Sequence, residues 1–152
     1  MEEAQIVADF GSGCAFDSEG INLEPEKIFN GVLNLMKRPG LGQFYLVFEK
    51  ETQRPVATIL TTYEMSPHFG GLIYWIQSVF VHAEFRGKGI FRFMYNHVIE
   101  QAKKDSRCKC VRLFVEKENE RALRAYEGVG MTRLGDFDFY QKDPLSEAHH
   151  HH

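Results

Sequence analysis

The chain has 152 residues, 43% of them hydrophobic and 26% charged, with a formal net charge of −3 at pH 7. This length suits one domain with a sizeable core, the balance excludes an intrinsically disordered chain, and the acidic net charge argues against non-specific nucleic-acid binding. No apolar run reaches the roughly 20 residues of a membrane span, the start MEEAQ lacks the basic head of a secretory signal, and an odd number of cysteines, three, suits a reducing cytoplasm.

Residues 3–16 place Ile6, Val7 and Phe10 at helical spacing, with Gly11 and Gly13 counting against the helix. A stronger pattern follows Asn22-Leu23. Pro25 fits a first helical position, Glu24 and Glu26 suit the N-terminal dipole, and Ile28, Phe29, Val32, Leu35 and Met36 form one stripe. Arg38-Pro39-Gly40 stops it. Strands at Phe44–Glu49 and Val56–Tyr63, joined by a polar turn, form an antiparallel pair. The loop Ser66–Gly71 leads into the β-branched run Leu72–Val81, then a polar turn, the pair Gly87 and Gly89, and the helical pattern of Phe91, Met94, Tyr95 and Val98, closed by Ser106-Arg107. Cys110–Val115 reads as a buried strand, Glu118–Tyr126 as a helix ended by Gly128 and Gly130, and Phe137–Gln141 as a last, aromatic-rich strand. The class is mixed α/β: an antiparallel N-terminal half and a parallel central pair joined by a helical crossover. One domain is predicted over residues 1–145. The tail 146–152 ends in His149–His152, which read as a tag remnant.

The stretch Leu72–Ile99 organises the chain. A strand that passes through a glycine-rich elbow into a helix leaves the first helical N–H groups without carbonyl partners. They face whatever lies above the strand end, and the helix dipole favours an anion there. Arg86, Lys88 and Arg92 cluster at this elbow, where the dipole disfavours cations, so an anionic ligand explains them better than solvent does. No Ser or Thr follows Lys88-Gly89, so this is not a P-loop, and no third glycine completes a dinucleotide fingerprint.

The elbow spells RGKGIF, Arg86 to Phe91, and resembles the acyl-CoA-binding signature of the GNAT N-acetyltransferase superfamily: Gln or Arg, two residues, Gly, one residue, Gly or Ala. Arg86 and Gly89 match; Phe91 in the sixth place departs. A second block, NERALRAY, puts Asn119, Ala122 and Tyr126 on the family's Asn, Ala and Tyr pattern. The resemblance covers roughly Gln43 to Gln141 and is strongest from Ile76 to Met131. It implies a GNAT-like fold. The family usually opens with a strand before its first helix; the pattern here reads as starting within that helix, so the first strand is expected to be missing and one sheet edge shorter, uncovered or supplied by a partner. The resemblance further implies acetyl-CoA as cosubstrate. The backbone of Val79, Phe80 and Val81 would pair with pantetheine, and one of its N–H groups would polarise the thioester carbonyl. The amides of Gly87, Lys88, Gly89, Ile90, Phe91 and Arg92 would hold the pyrophosphate. Asn119 would contact the pantetheine arm, beside Ala122, and Tyr126 would be the general acid. Homodimers, common in the family, follow by analogy only.

The chemistry asks for such an acid. An amine that attacks the thioester directly expels a thiolate; a thiol has a pKa near 8.5 and a tyrosine about 10, so a nearby phenol can protonate the departing sulfur. A base is also required, because an alkyl amine with a pKa of about 10.4 is mostly protonated at neutral pH. Candidates are Glu64, Glu84 and Glu116, with Gln77 and Ser78 positioning water. Many family members carry an acid at the place of Gln77, so the reading favours a water chain toward Glu116 or Glu64. Tyr45, Tyr63, Phe69 and Trp75 are candidates for an acceptor pocket or for core packing. His82 and His97 read as structural, and Cys108 and Cys110 lack the second pair or histidine of a zinc site, so no metal is expected. Two functions compete: an N-acetyltransferase acting on a primary amine of a small molecule or peptide, and a non-catalytic CoA-binding regulatory or interaction module. Nucleic acid and membrane are not expected partners.

Overall fold

The computed structural model describes the backbone of residues 2–19 and 24–145, and the side chains of 2–10 and 24–145. Asn22-Leu23, Cys14 as a side chain and the tail 146–152 lie outside these. The order is α1 (Glu2–Glu19), α2 (Pro25–Met36), β1 (Gly42–Phe48), β2 (Pro55–Ser66), β3 (Gly71–Val81), a 3₁₀ turn (Ala83–Phe85), α3 (Ile90–Lys104), β4 (Cys108–Leu113) and α4 (Glu120–Gly128).

The four strands stand in chain order in one sheet. β1 with β2 and β2 with β3 are antiparallel; β3 with β4 is parallel, and α3 makes the crossover. Strand alternation gives the sheet two apolar faces. On one, Met94 and Val98 of α3 bury against Val56, Ile59 and Ile76. On the other, Ala4, Val7 and Ala8 of α1 pack on Val32 of α2, with Phe44 and Leu46 beneath. Phe10 meets Phe80 at 4.9 Å between ring centroids. The backbone of α1 stays helical through Gly11 and Gly13, although each costs a helix about 1 kcal/mol relative to alanine.

The C-terminal end departs from the sequence pattern. Among the described residues no strand follows α4, and Phe137–Gln141 has no ladder partner. Phe137, Phe139 and Tyr140 are 74%, 75% and 97% exposed. β-propensity measures fit to a half-buried pleated surface, and here that surface is not assembled; Phe139 meets Phe114 edge-on instead. No strand precedes α1 among the described residues, so β1 forms the edge of the sheet. β4 also starts and stops two residues earlier than its apolar run suggests.

Asp105 caps the end of α3 and fixes the entry to β4. It accepts Tyr74 Oη at 2.5 Å and three Arg107 N–H groups, each at 2.9 Å. The Arg107 guanidinium, then the Tyr74 hydroxyl, hold the Asp105 carboxyl well below the usual carboxylate range. Burial and this same hydrogen bond push the Tyr74 phenol up. Gly71 opens β3 beside this turn, where an added Cβ would strike the Arg107 carbonyl.

Candidate active site

The site begins where β3 loses a neighbour. Its ladder to β4 ends at Ile76↔Leu113, while its ladder to β2 runs on to Val81↔Ala57. Phe114 and Val115 therefore leave the sheet just where the sequence pattern has β4 continue. At the same point Leu60 faces Ser78 and Thr61 faces Ile76, so Gln77 is the extra residue of a β-bulge. A bulge bends its strand and raises the local twist. It also shifts the alternation, so Ile76 and Val79 both pack toward the α3 core. The strand end Val79, Phe80 and Val81 forms one wall of a cleft of about 440 Å³.

The elbow forms the floor. Gly87 and Gly89 take φ of +78° and +81°, and open space lies where a Cβ would stand on either. Gly89 caps α3 with no side-chain cap, and the first helical bond runs from Phe93 N to Gly89 O at 3.0 Å. The amides of Ile90, Phe91 and Arg92 thus precede the first turn's carbonyls, the arrangement that receives an anion.

The three predicted cations divide. Arg86 lines the cleft and donates from Nε to Val81 O at 3.1 Å, tying the elbow to the end of β3. Arg92 lines it too, and its Nη2 donates to Gly128 O at 2.9 Å. Lys88 lies over the Phe85 ring at 5.2 Å and is not part of the lining.

The opposite wall is α4. Asn119 caps it, Oδ1 accepting Ala122 N at 3.1 Å, and also lines the cleft, so one residue serves helix and site. Ala122, Ala125 and Tyr126 face inward, and Gly130, at φ +94°, turns the chain away after the helix. Tyr126 meets the Phe91 ring edge-on at 5.4 Å. Arg121 and Arg124 also line the cleft and had not been singled out from sequence. Their signal is there: three apart, they flank the Ala122/Ala125 stripe of α4.

The remaining candidates lie outside the cleft lining. Gln77 donates from Nε2 to Thr62 Oγ1 at 2.9 Å, and Trp75 Nε1 donates to Glu64 Oε1 at 2.7 Å, both across β2 and β3 on the face away from α3. Glu84 pairs with Arg54 at 3.0 Å, whose hydrogen bond lowers its pKa. Glu116 is exposed in the turn before α4. The four aromatic acceptor candidates do not converge. Tyr63 packs at a tilt on Tyr74 and Tyr45 lies edge-on to His97 of α3, Trp75 takes the other face, and Phe69 lies under Arg112. Among the described residues no three His, Cys, Asp or Glu stand together as a metal cage, and no helix is long and apolar enough to cross a membrane.

A model of the acetyltransferase (GNAT) family matches residues 16–131. The chain belongs to the GNAT acetyltransferase family. This GNAT chain is similar in structure to a possible acetyltransferase from Clostridium difficile 630, at 32% identity over 95% of this chain and 93% of that one, with a TM-score of 0.86. It shares its fold with a probable acetyltransferase at 18% identity, TM-score 0.82, covering 97% and 95% of the two chains. It also shares it with a ribosomal-protein-alanine N-acetyltransferase from Brucella melitensis biovar Abortus 2308 at 15% identity, TM-score 0.70, covering 93% of each. A search of curated proteins found no significant match. The open glycine elbow and uncapped helix amides suit an anionic group at the start of α3, and the GNAT family generally uses acetyl-CoA.

Proposed function

We propose that this GNAT chain transfers the acetyl group of acetyl-CoA to a primary amine of a small molecule or peptide by direct attack. The observation that carries the reading is the coincidence of a bulged, splayed β3 end with an uncapped glycine elbow on one cleft. Bound acetyl-CoA supplies an activated thioester, whose carbonyl carbon gains the amine nitrogen as the C–S bond breaks. Ile90, Phe91 and Arg92 receive the diphosphate through their amides. The N–H groups of the β3 end align the pantetheine arm and polarise the carbonyl. Tyr126 gives its proton to the leaving sulfur. The amine loses its proton to water held by Gln77, whose face of the sheet also carries Glu64; Glu116 is the other end point for that proton.

Calorimetric titration with acetyl-CoA, followed by an amine screen read as free-thiol release, tests this. Binding with acceptor-dependent thiol supports it; no heat and no thermal shift removes it. A second reading, a CoA-binding module without catalysis, is favoured by one observation: Gln77 stands where many family members carry an acid, and it is tied to Thr62. Tight binding with no thiol release from any amine would decide for that module.

A further inference from the structure

Phe91 fills the sixth place of the elbow motif, where the acyl-CoA signature has a small residue. Its amide belongs to the cradle and its ring to the cleft lining. The ring lies edge-on to Tyr126, centroids 5.4 Å apart and planes at 62°, and is backed by Tyr95 at 6.0 Å. The next residue, Arg92, holds the last carbonyl of α4 at Gly128. Two consecutive side chains of the first turn of α3 therefore brace α4, one at Tyr126 itself and one two residues beyond it.

We infer that Phe91 is a positioning residue for Tyr126, and through it the anion cradle and the proton donor are held as one unit. The inference rests on the acetyl-transfer reading. An edge-on aromatic pair sets the positive rim of one ring against the negative face of the other, which restricts rotation of both. Tyr95 behind Phe91 keeps the pair from swinging. Leucine at this place keeps the apolar bulk and loses the edge-to-face geometry.

The test compares Phe91→Leu, Tyr126→Phe and their double variant in the full chain. Thiol release from acetyl-CoA is read with 2-phenylethylamine as the probe amine, CoA binding by calorimetry, and the Tyr126 ring by NMR of isotope-labelled tyrosine, assigned with Tyr126→Phe. Phe91→Leu should cut kcat about tenfold, short of the roughly 100-fold that a 1 Å misplacement can cost, and should change KM for acetyl-CoA by less than it changes kcat. Phe91→Tyr should restore most of the loss. In the Tyr126→Phe background Phe91→Leu should add no further loss, because coupled residues are not additive. The Tyr126 resonances should move in Phe91→Leu without any acceptor present. Equal losses in both backgrounds, or unmoved Tyr126 resonances, overturn the inference while acetyl transfer stands. A parent chain that binds no CoA overturns the functional reading and the inference with it.

Discussion

Gly89 and Gly31 show how one residue type does two jobs. Gly89 sits at φ +81° with open space around it, so an alanine there meets no wall and still carries the strain of a left-handed backbone, about 1–2 kcal/mol. Gly89→Ala should lower the melting temperature modestly and weaken acetyl-CoA binding by more than that strain alone, because the amide cradle is rebuilt. Gly31 lies exposed inside α2 with nothing within 4 Å of a Cβ and no positive φ. Gly31→Ala should stabilise by about 0.5–1 kcal/mol in thermal or denaturant unfolding, and CoA binding should not move. At Tyr126 the predicted effect is kinetic. Tyr126→Phe should slow turnover about 100-fold at neutral pH. The defect should shrink as pH rises past about 8.5, where the departing thiolate no longer needs a proton. A rate–pH profile of both proteins checks this, and a parallel, unchanged profile removes Tyr126 as the acid.

Elements differ in how far the sequence foretold them. β2, β3, α2 and α3 carry continuous apolar stripes and were legible to within a few residues. The elbow was legible because its glycines, its arginine and the Asn-Ala-Tyr block are local signals. What depends on a partner was not. The end of β4 at Leu113 coincides with the bulge at Gln77 on the neighbouring strand, and no pattern within Cys108–Val115 reports it. Phe137–Gln141 has strand composition and no partner strand. The Asp105 turn was missed as well, since its force lies in Tyr74, thirty-one residues away. That turn makes a pH prediction. The folded-state pKa of Asp105 is depressed, so its contribution is fully present above the unfolded value, about 3.9, and is lost as pH falls below it. Asp105→Asn should therefore lower the melting temperature by a few degrees at pH 7, and the gap to the parent should narrow below about pH 4. A gap that stays constant on acidification would assign the effect to packing.

At the scale of the molecule, the proposed function asks a chain of net charge −3 to receive a polyanion. The conflict is resolved by placement. Arg86, Arg92, Arg121 and Arg124 all line the one cleft that holds the α3 amides, so the local field opposes the net charge. The salt bridge of Arg124 to Glu120, 3.9 Å long and exposed on both sides, holds that guanidinium only weakly. Arg121 and Arg124 stand on α4, outside the elbow, and under the proposed function they would form a rim for phosphate groups separate from the α3 amides. Attraction between exposed charges is screened over a Debye length of about 10 Å at 0.1 M salt and about 3 Å at 1 M. CoA affinity should therefore fall severalfold from low salt to 1 M. The double variant Arg121→Gln, Arg124→Gln should weaken binding at low salt and flatten the salt dependence. Dephospho-CoA, which lacks the 3′-phosphate, should show the same flattening with the parent chain. If the variant binds CoA as the parent does at every ionic strength, the rim is ordinary solvated charge and the α3 amides carry the recognition alone.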